Sequence, residues 1–142
     1  CTVVKNTVGN SDFLRIEQST SGDYGNYSYV LYEGHLSIYK TTVLRNGEVI
    51  KKQVFRRKLS REELGSIRKN VSGLEKLNSE YVNPTLGGMG WEISYSTEGA
   101  EKSLSIDNAK VDEVIVLFED VNRLIPKTRL KIYGFSHLEY SN

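Results

Sequence analysis

Of the 142 residues only one is cysteine, two are proline and two are histidine. A single cysteine forms no internal disulfide, which excludes the small secreted scaffold stapled by cross-links. Two prolines exclude a collagen-like chain, and two histidines with one cysteine leave little material for a transition-metal site. Neither sign of charge is in excess, since 19 Lys and Arg stand against 18 Asp and Glu. The longest apolar run falls far short of the roughly 18 residues that a membrane-spanning helix needs. Hydrophobic residues make up 38% and charged residues 26%, the balance of a chain that folds rather than one that stays disordered. The length suits one domain around one core.

The motifs of catalysis are missing as well. There is no G-x-S-x-G elbow and no H-E-x-x-H pair. His35 is expected at a hairpin turn and His137 near the end, 102 positions apart and with no obvious nucleophile beside either. Gly87-Gly88-Met89-Gly90 does not fit a phosphate loop, because such loops open onto a helix N-terminus and here a strand begins at Trp91. Asp107, Asn108 and Asp112 have calcium-like spacing but lack the glycine and terminal glutamate of a calcium hand. Helix capping by Asp107 or Asn108 explains them better. A non-enzymatic role with no cofactor and no metal is therefore expected.

The lone cysteine is residue 1. A mature bacterial lipoprotein begins at a cysteine whose sulfur carries lipid, so one expectation is a lipid anchor on Cys1 and a tether over residues 1–12. The other is that the sequence was simply cut there. Residues 13–135 form the expected domain and 136–142 a tail. No acidic run follows Cys1, which favours a periplasm-facing position in the cell envelope.

What is present reads as alternating strands and amphipathic helices. Residues 13–18 alternate apolar and polar and predict a first strand. Two runs of β-formers, 27–33 and 35–45, surround Glu33-Gly34, and a third spans 48–57. Asn46-Gly47 between the last two predicts a type I′ hairpin turn, with Arg45 facing Glu48. The result is a three-stranded meander.

Ser60-Arg61-Glu62-Glu63 reads as a capping box. Leu64, Ile67, Val71, Leu74 and Leu77 then recur at helical spacing, predicting a helix to about residue 78. A loop over 79–90 follows. Trp91, Ile93 and Tyr95 alternate with polar residues, as do Lys102, Leu104 and Ile106 beyond Glu98-Gly99. That pattern predicts a hairpin pairing Trp91 with Ile106, Ile93 with Leu104 and Tyr95 with Lys102, apolar on one face only. Val111, Val114, Ile115, Phe118, Val121 and Ile125 mark a second helix over 109–124, ended by Pro126. Residues 129–135 suggest a last strand. The expected fold is an α+β two-layer sandwich, an antiparallel sheet of meander plus hairpin covered by two helices.

The near-neutral total hides a polarised distribution. Residues 35–58 hold seven lysines and arginines against one acid, while the rest of the chain holds twelve basic and seventeen acidic residues. Such a patch suits an anionic partner, or it guards an edge strand against aggregation. Hairpin register sorts the neighbouring tyrosines. Tyr29, Leu31, Leu36, Ile38, Leu44, Val49 and Phe55 share one face, assigned to the core. Val30, Tyr32, His35, Tyr39, Val43, Ile50 and Val54, with Ser28, Ser37, Thr41 and Lys52, share the other. On that outer face Tyr32 faces His35, Tyr39 faces Val54, Lys52 opposes Thr41 and Arg56 opposes Ser37. Tyr32, His35, Tyr39, Lys52 and Arg56 are therefore the candidate binding residues, tyrosine supplying rigid contact area. The competing expectation is that another part of the chain covers them. Trp91 is assigned to the core.

Glu33-Gly34 between paired strands, Leu59-Ser60-Arg61-Glu62-Glu63-Leu64 at a helix start and Trp91-Glu92-Ile93 in a following strand form a pattern. Over residues 27–125 it resembles that of small bacterial lipoproteins of gut-type Gram-negative species. The resemblance implies fold and location and carries no chemistry to any residue. Together these readings predict a lipid-anchored envelope protein that binds a macromolecule or an acidic glycan. Its contact with the membrane is through the anchor only, and nucleic acid is not expected. A small envelope enzyme or enzyme inhibitor, and an immunity-type protein that neutralises a toxin, are the alternatives.

Overall fold

The computed structural model describes residues 13–20, 26–83, 89–97 and 100–135. Cys1, the expected tether, Gly87, Gly88, the Glu98-Gly99 turn and the expected tail with His137 lie outside the described residues. The chain is α+β. Seven strands, β1 (Phe13–Thr20), β2 (Asn26–Tyr32), β3 (His35–Val43), β4 (Val49–Lys58), β5 (Glu80–Val82), β6 (Met89–Thr97) and β7 (Ala100–Asp107), form one sheet. Their order is β4-β3-β2-β1-β6-β7-β5. All neighbours are antiparallel except β5 and β7. The described residues also form two helices, α1 (Arg61–Ser72) and α2 (Asp112–Arg123).

Local chemistry accounts for most of these elements. Glu33 and Gly34 have φ of 49° and 78°, so a two-residue turn with positive φ at both positions closes Tyr32 onto His35. Ser60 caps α1 as expected, its hydroxyl accepting from the Glu63 amide at 3.1 Å while the Glu63 carboxylate accepts from the Ser60 amide at 2.8 Å. The β6–β7 hairpin has the expected register, with Trp91 on Ile106, Ile93 on Leu104 and Tyr95 on Lys102.

The core lies on one face of the sheet. Leu14, Ile16, Tyr29, Leu36, Ile38, Trp91, Ile93, Leu104 and Ile106 are buried there with Ile67, Val71 and Leu74 of the α1 region and Val114, Leu117, Phe118 and Val121 of α2. Trp91 is core as expected and packs on Phe118 with ring centres 5.4 Å apart. Arg57 ties three elements. Its guanidinium donates to the carbonyl of Leu124 just beyond α2 at 3.2 Å and to the Glu63 carboxylate at 2.9 Å. The Ser60 amide and this guanidinium hold the Glu63 carboxyl below its ordinary pKa. At the other end of the sheet the Lys102 ammonium pairs with Glu75, which raises the lysine pKa.

Several expectations are corrected. α1 stops at Ser72 and continues as a short 3₁₀ turn over Gly73–Lys76. The expected 79–90 loop contains β5, which adds to the sheet edge beside β7. Val111, not Asp107 or Asn108, is the N-cap residue of α2, with no side-chain cap. Asn108 instead takes a positive φ of 56°, and its side chain accepts from the Met89 amide at 2.9 Å. Residues 129–135 form no strand. A 3₁₀ turn over Thr128–Leu130 leads into an irregular segment whose Leu130 and Ile132 are buried.

The β3–β4 turn is the consequential correction. Only Gly47 of the Asn46-Gly47 pair has positive φ, at 86°, so a type I′ turn is not formed. The Gly47 amide donates to Leu44 and the Leu44 amide to Glu48, which makes a longer loop with glycine in the left-handed position. Val43 therefore pairs with Val49, one register step from the expected alignment. A bulge between Ile38 and Tyr39 then restores that alignment, leaving Val54 as the extra residue and pairing Tyr39 with Gln53. Leu44 and Val49, expected in the core, are 38% and 56% exposed at the hairpin end.

Candidate functional site

The face of the sheet opposite the helices presents ordered rows of side chains. Phe13, Tyr32, His35 and Lys58 stand side by side across β1, β2, β3 and β4. Arg15, Val30, Ser37 and Arg56 form the next row, and Glu17, Ser28, Tyr39 and Gln53 the third. The same face continues over β6 and β7 as Ser96, Ser94, Glu92, Glu101, Ser103 and Ser105. One face thus runs from serine and glutamate at one end to tyrosine, histidine and arginine at the other.

A groove of about 390 Å³ opens in the aromatic and basic half, lined by Val30, Tyr32, Glu33, His35, Ser37, Tyr39, Gln53 and Arg56. The register assigns each its place. Val30 and Ser37 form the floor. Tyr32 and His35 make one wall, Tyr39 and Gln53 the other, and Arg56 stands on the β4 side. The two walls are four residues apart along β3, roughly 13 Å at the strand rise. Tyr32, His35 and Tyr39 are half-buried and Arg56 is exposed. The His35 ring meets the Glu33 carbonyl through Nδ1 at 3.2 Å. Arg56 has no acidic partner among the described residues.

Four of the five candidates from the sequence, Tyr32, His35, Tyr39 and Arg56, therefore line one groove. The fifth is corrected. The register step at the turn puts Lys52 opposite Lys40, on the helix-side face. Lys51 occupies the outer face instead and pairs with Glu17 at 3.5 Å. Val54, expected opposite Tyr39, is the extra residue of the bulge and packs against the core. Gln53 takes its place in the groove. The one sign of this in the sequence is broken alternation, since Lys51-Lys52-Gln53 are polar in succession and Val54-Phe55 apolar in succession. Glu33, placed in the turn by the sequence, also reaches the groove.

The arrangement offers aromatic faces, a guanidinium, and hydroxyl and amide groups that donate and accept hydrogen bonds. Among the described residues no three of His, Cys, Asp and Glu stand close enough to hold a metal ion. No described helix is long and apolar enough to cross a membrane. No protein-family model matches the chain, and no curated protein matches its sequence.

Proposed function

We propose that the protein is a non-enzymatic binding module and that its outer sheet face takes an acidic glycan. The observation that carries this reading is the groove, where two half-buried tyrosines stand on opposite walls of a floor made by Val30 and Ser37, beside an arginine with no acidic partner among the described residues. Tyrosine rings give rigid amphipathic area for the apolar face of a sugar. The Arg56 guanidinium suits a carboxylate in the two-pronged geometry that lysine cannot supply. Ser37, Gln53 and the tyrosine hydroxyls match sugar hydroxyls. Glu33 at the turn repels a second anionic group there, so the ligand's carboxylate belongs at the Arg56 end. The volume lies within the range of small-ligand sites, roughly 300–1,000 Å³.

The reading takes the fold as a two-layer sandwich, the meander and the Trp91 hairpin in one layer and both helices in the other. The shared burial of sheet and helix side chains on one face supports it. It also sets the module in the cell envelope, lipidated at Cys1, on the strength of the lone cysteine and the resemblance to small bacterial lipoproteins.

The test is calorimetric titration with a uronic-acid oligosaccharide, using a neutral oligosaccharide of the same length as the control. The acidic ligand binds and the neutral one does not. Tyr32→Ala/Tyr39→Ala lowers affinity roughly tenfold or more, as expected of central aromatic anchors, while the thermal midpoint stays in place. Equal binding of both sugars, or full affinity in the double variant, overturns the reading.

A further inference from the structure

The open edge of the sheet carries a separate feature. β4 is ten residues long and ends the strand order, with no strand beyond it among the described residues. Its sequence, V-I-K-K-Q-V-F-R-R-K, holds five cations and no acid. Lys51 pairs with Glu17 and Arg57 with Glu63. Lys52, Arg56 and Lys58 have no acidic partner among the described residues. Lys40 on β3 stands directly opposite Lys52. Edge lysines guard against unwanted pairing, but guarding needs no facing pair of like charges, which is destabilising until an anion neutralises it.

The distribution of these cations selects the ligand. Lys40 and Lys52 stand on the helix-side face, while Lys51, Arg56 and Lys58 stand on the outer face. A ligand lying flat on either face meets one set only. A strand added to β4 meets both, because its side chains alternate between the faces. We propose that the β4 edge captures an acidic, extended polypeptide segment by strand addition. The opposite edge, β5, is three residues long and offers little to pair with. A second copy of this chain is a poor occupant, because β4 against β4 sets cations on cations. Val49 and Ile50, 56% and 45% exposed, mark the end at which apolar residues of the segment would rest.

Two capped synthetic peptides of β4's length test this. The first combines threonine, valine and paired glutamates, so that its acids fall on both faces when extended. The second has the same side chains but is N-methylated at alternate residues along the edge that would meet β4. The first peptide slows hydrogen exchange at β4 amides of the wild-type chain, and the second binds roughly tenfold more weakly or not at all. Lys52→Glu and Lys58→Glu, one on each face, each weaken the first peptide roughly tenfold while circular dichroism is unchanged. Tyr32→Ala/Tyr39→Ala leaves peptide affinity alone, which separates this edge from the groove. Equal binding of the methylated peptide, binding without β4 protection, or equal competition by anionic vesicles or duplex DNA overturns the proposal. So does absence of binding, or self-association of the free chain through β4.

Discussion

Asn122 holds the C-terminal segment in place by imitating a strand, and its removal has a calculable cost. The side-chain amide donates to the Ile132 carbonyl at 2.8 Å, and its oxygen accepts from the Ile132 amide at 2.7 Å. Ile132 is buried, so neither backbone group has water to fall back on. Asn122→Ala removes both bonds and strands an N–H and a C=O. A stranded buried donor costs roughly 1–3 kcal/mol, and the carbonyl, which tolerates partial satisfaction better, costs less. The expected loss is about 2–4 kcal/mol, a large fraction of a typical domain's total. Urea denaturation should show it as a lower midpoint with an unchanged slope.

The same segment gives an internal check. The buried Tyr29 hydroxyl donates to the Leu130 carbonyl at 2.8 Å, and burial raises the phenol pKa well above its ordinary value. If Asn122→Ala lets the segment lift, Tyr29→Phe should cost less in that background than alone, with a coupling of roughly 0.5–3 kcal/mol. The Ile132 amide should exchange slowly in the wild type and fast in Asn122→Ala. A stability change below about 0.5 kcal/mol, the ordinary surface range, or unaltered exchange at Ile132, would show that the segment is held by Leu130 and Ile132 packing alone.

Leu74→Ala removes a side chain that is almost fully buried, and should destabilise by roughly 2–5 kcal/mol in the same urea assay. Glu63 gives the pH dependence. Its folded-state pKa lies below the ordinary value because the Ser60 amide and Arg57 bind the charged form. Its stabilisation is therefore complete above the unfolded carboxylate pKa and is lost as pH falls through the lower folded pKa. Urea midpoints measured from neutral pH downward should show Glu63→Gln less stable at neutral pH and with a shallower fall in acid. An identical acid limb in variant and wild type would remove Glu63 from the account.

Three elements written by local chemistry were legible in the sequence. The Glu33-Gly34 turn, the Ser60 capping box and the Trp91 hairpin each depend on residues within a few positions of one another, and all are present. Elements defined by distant partners were not. β5 is three residues long and owes its place to β7, with the Ser105 amide donating to the Ser79 carbonyl and the Asn83 amide to Asp107. Residues 129–135 alternate like a strand, and Leu130 and Ile132 are buried as a strand would bury them. But the Ile132 backbone groups are taken by Asn122 of α2 rather than by a neighbouring strand. Alternation reports burial of every second side chain, and not what the backbone between them is bonded to.

The candidate site was legible for a narrower reason. Side chains in a strand change face at every residue, so a single register step moves a whole strand's set of side chains to the other face. The Gly47 loop introduces one step and the bulge at Ile38 and Tyr39 takes it back. Arg56 lies on the far side of both irregularities from the turn, so its pairing with Ser37 came out right. Lys52 lies between them, so it came out on the wrong face. The interval between the two steps is where cations are delivered to the helix-side face, Lys52 opposite Lys40. Without the bulge, every outer-face residue of β4 beyond it would turn inward, Arg56 among them, and Arg57 would lose its contacts with Glu63 and Leu124. The bulge thus keeps Arg56 in the groove and Arg57 in the clamp while the turn-proximal half of β4 shows its lysines to both sides. One extra residue at Val54 links the Arg57 contacts with Glu63 and Leu124 to the shape of the basic edge.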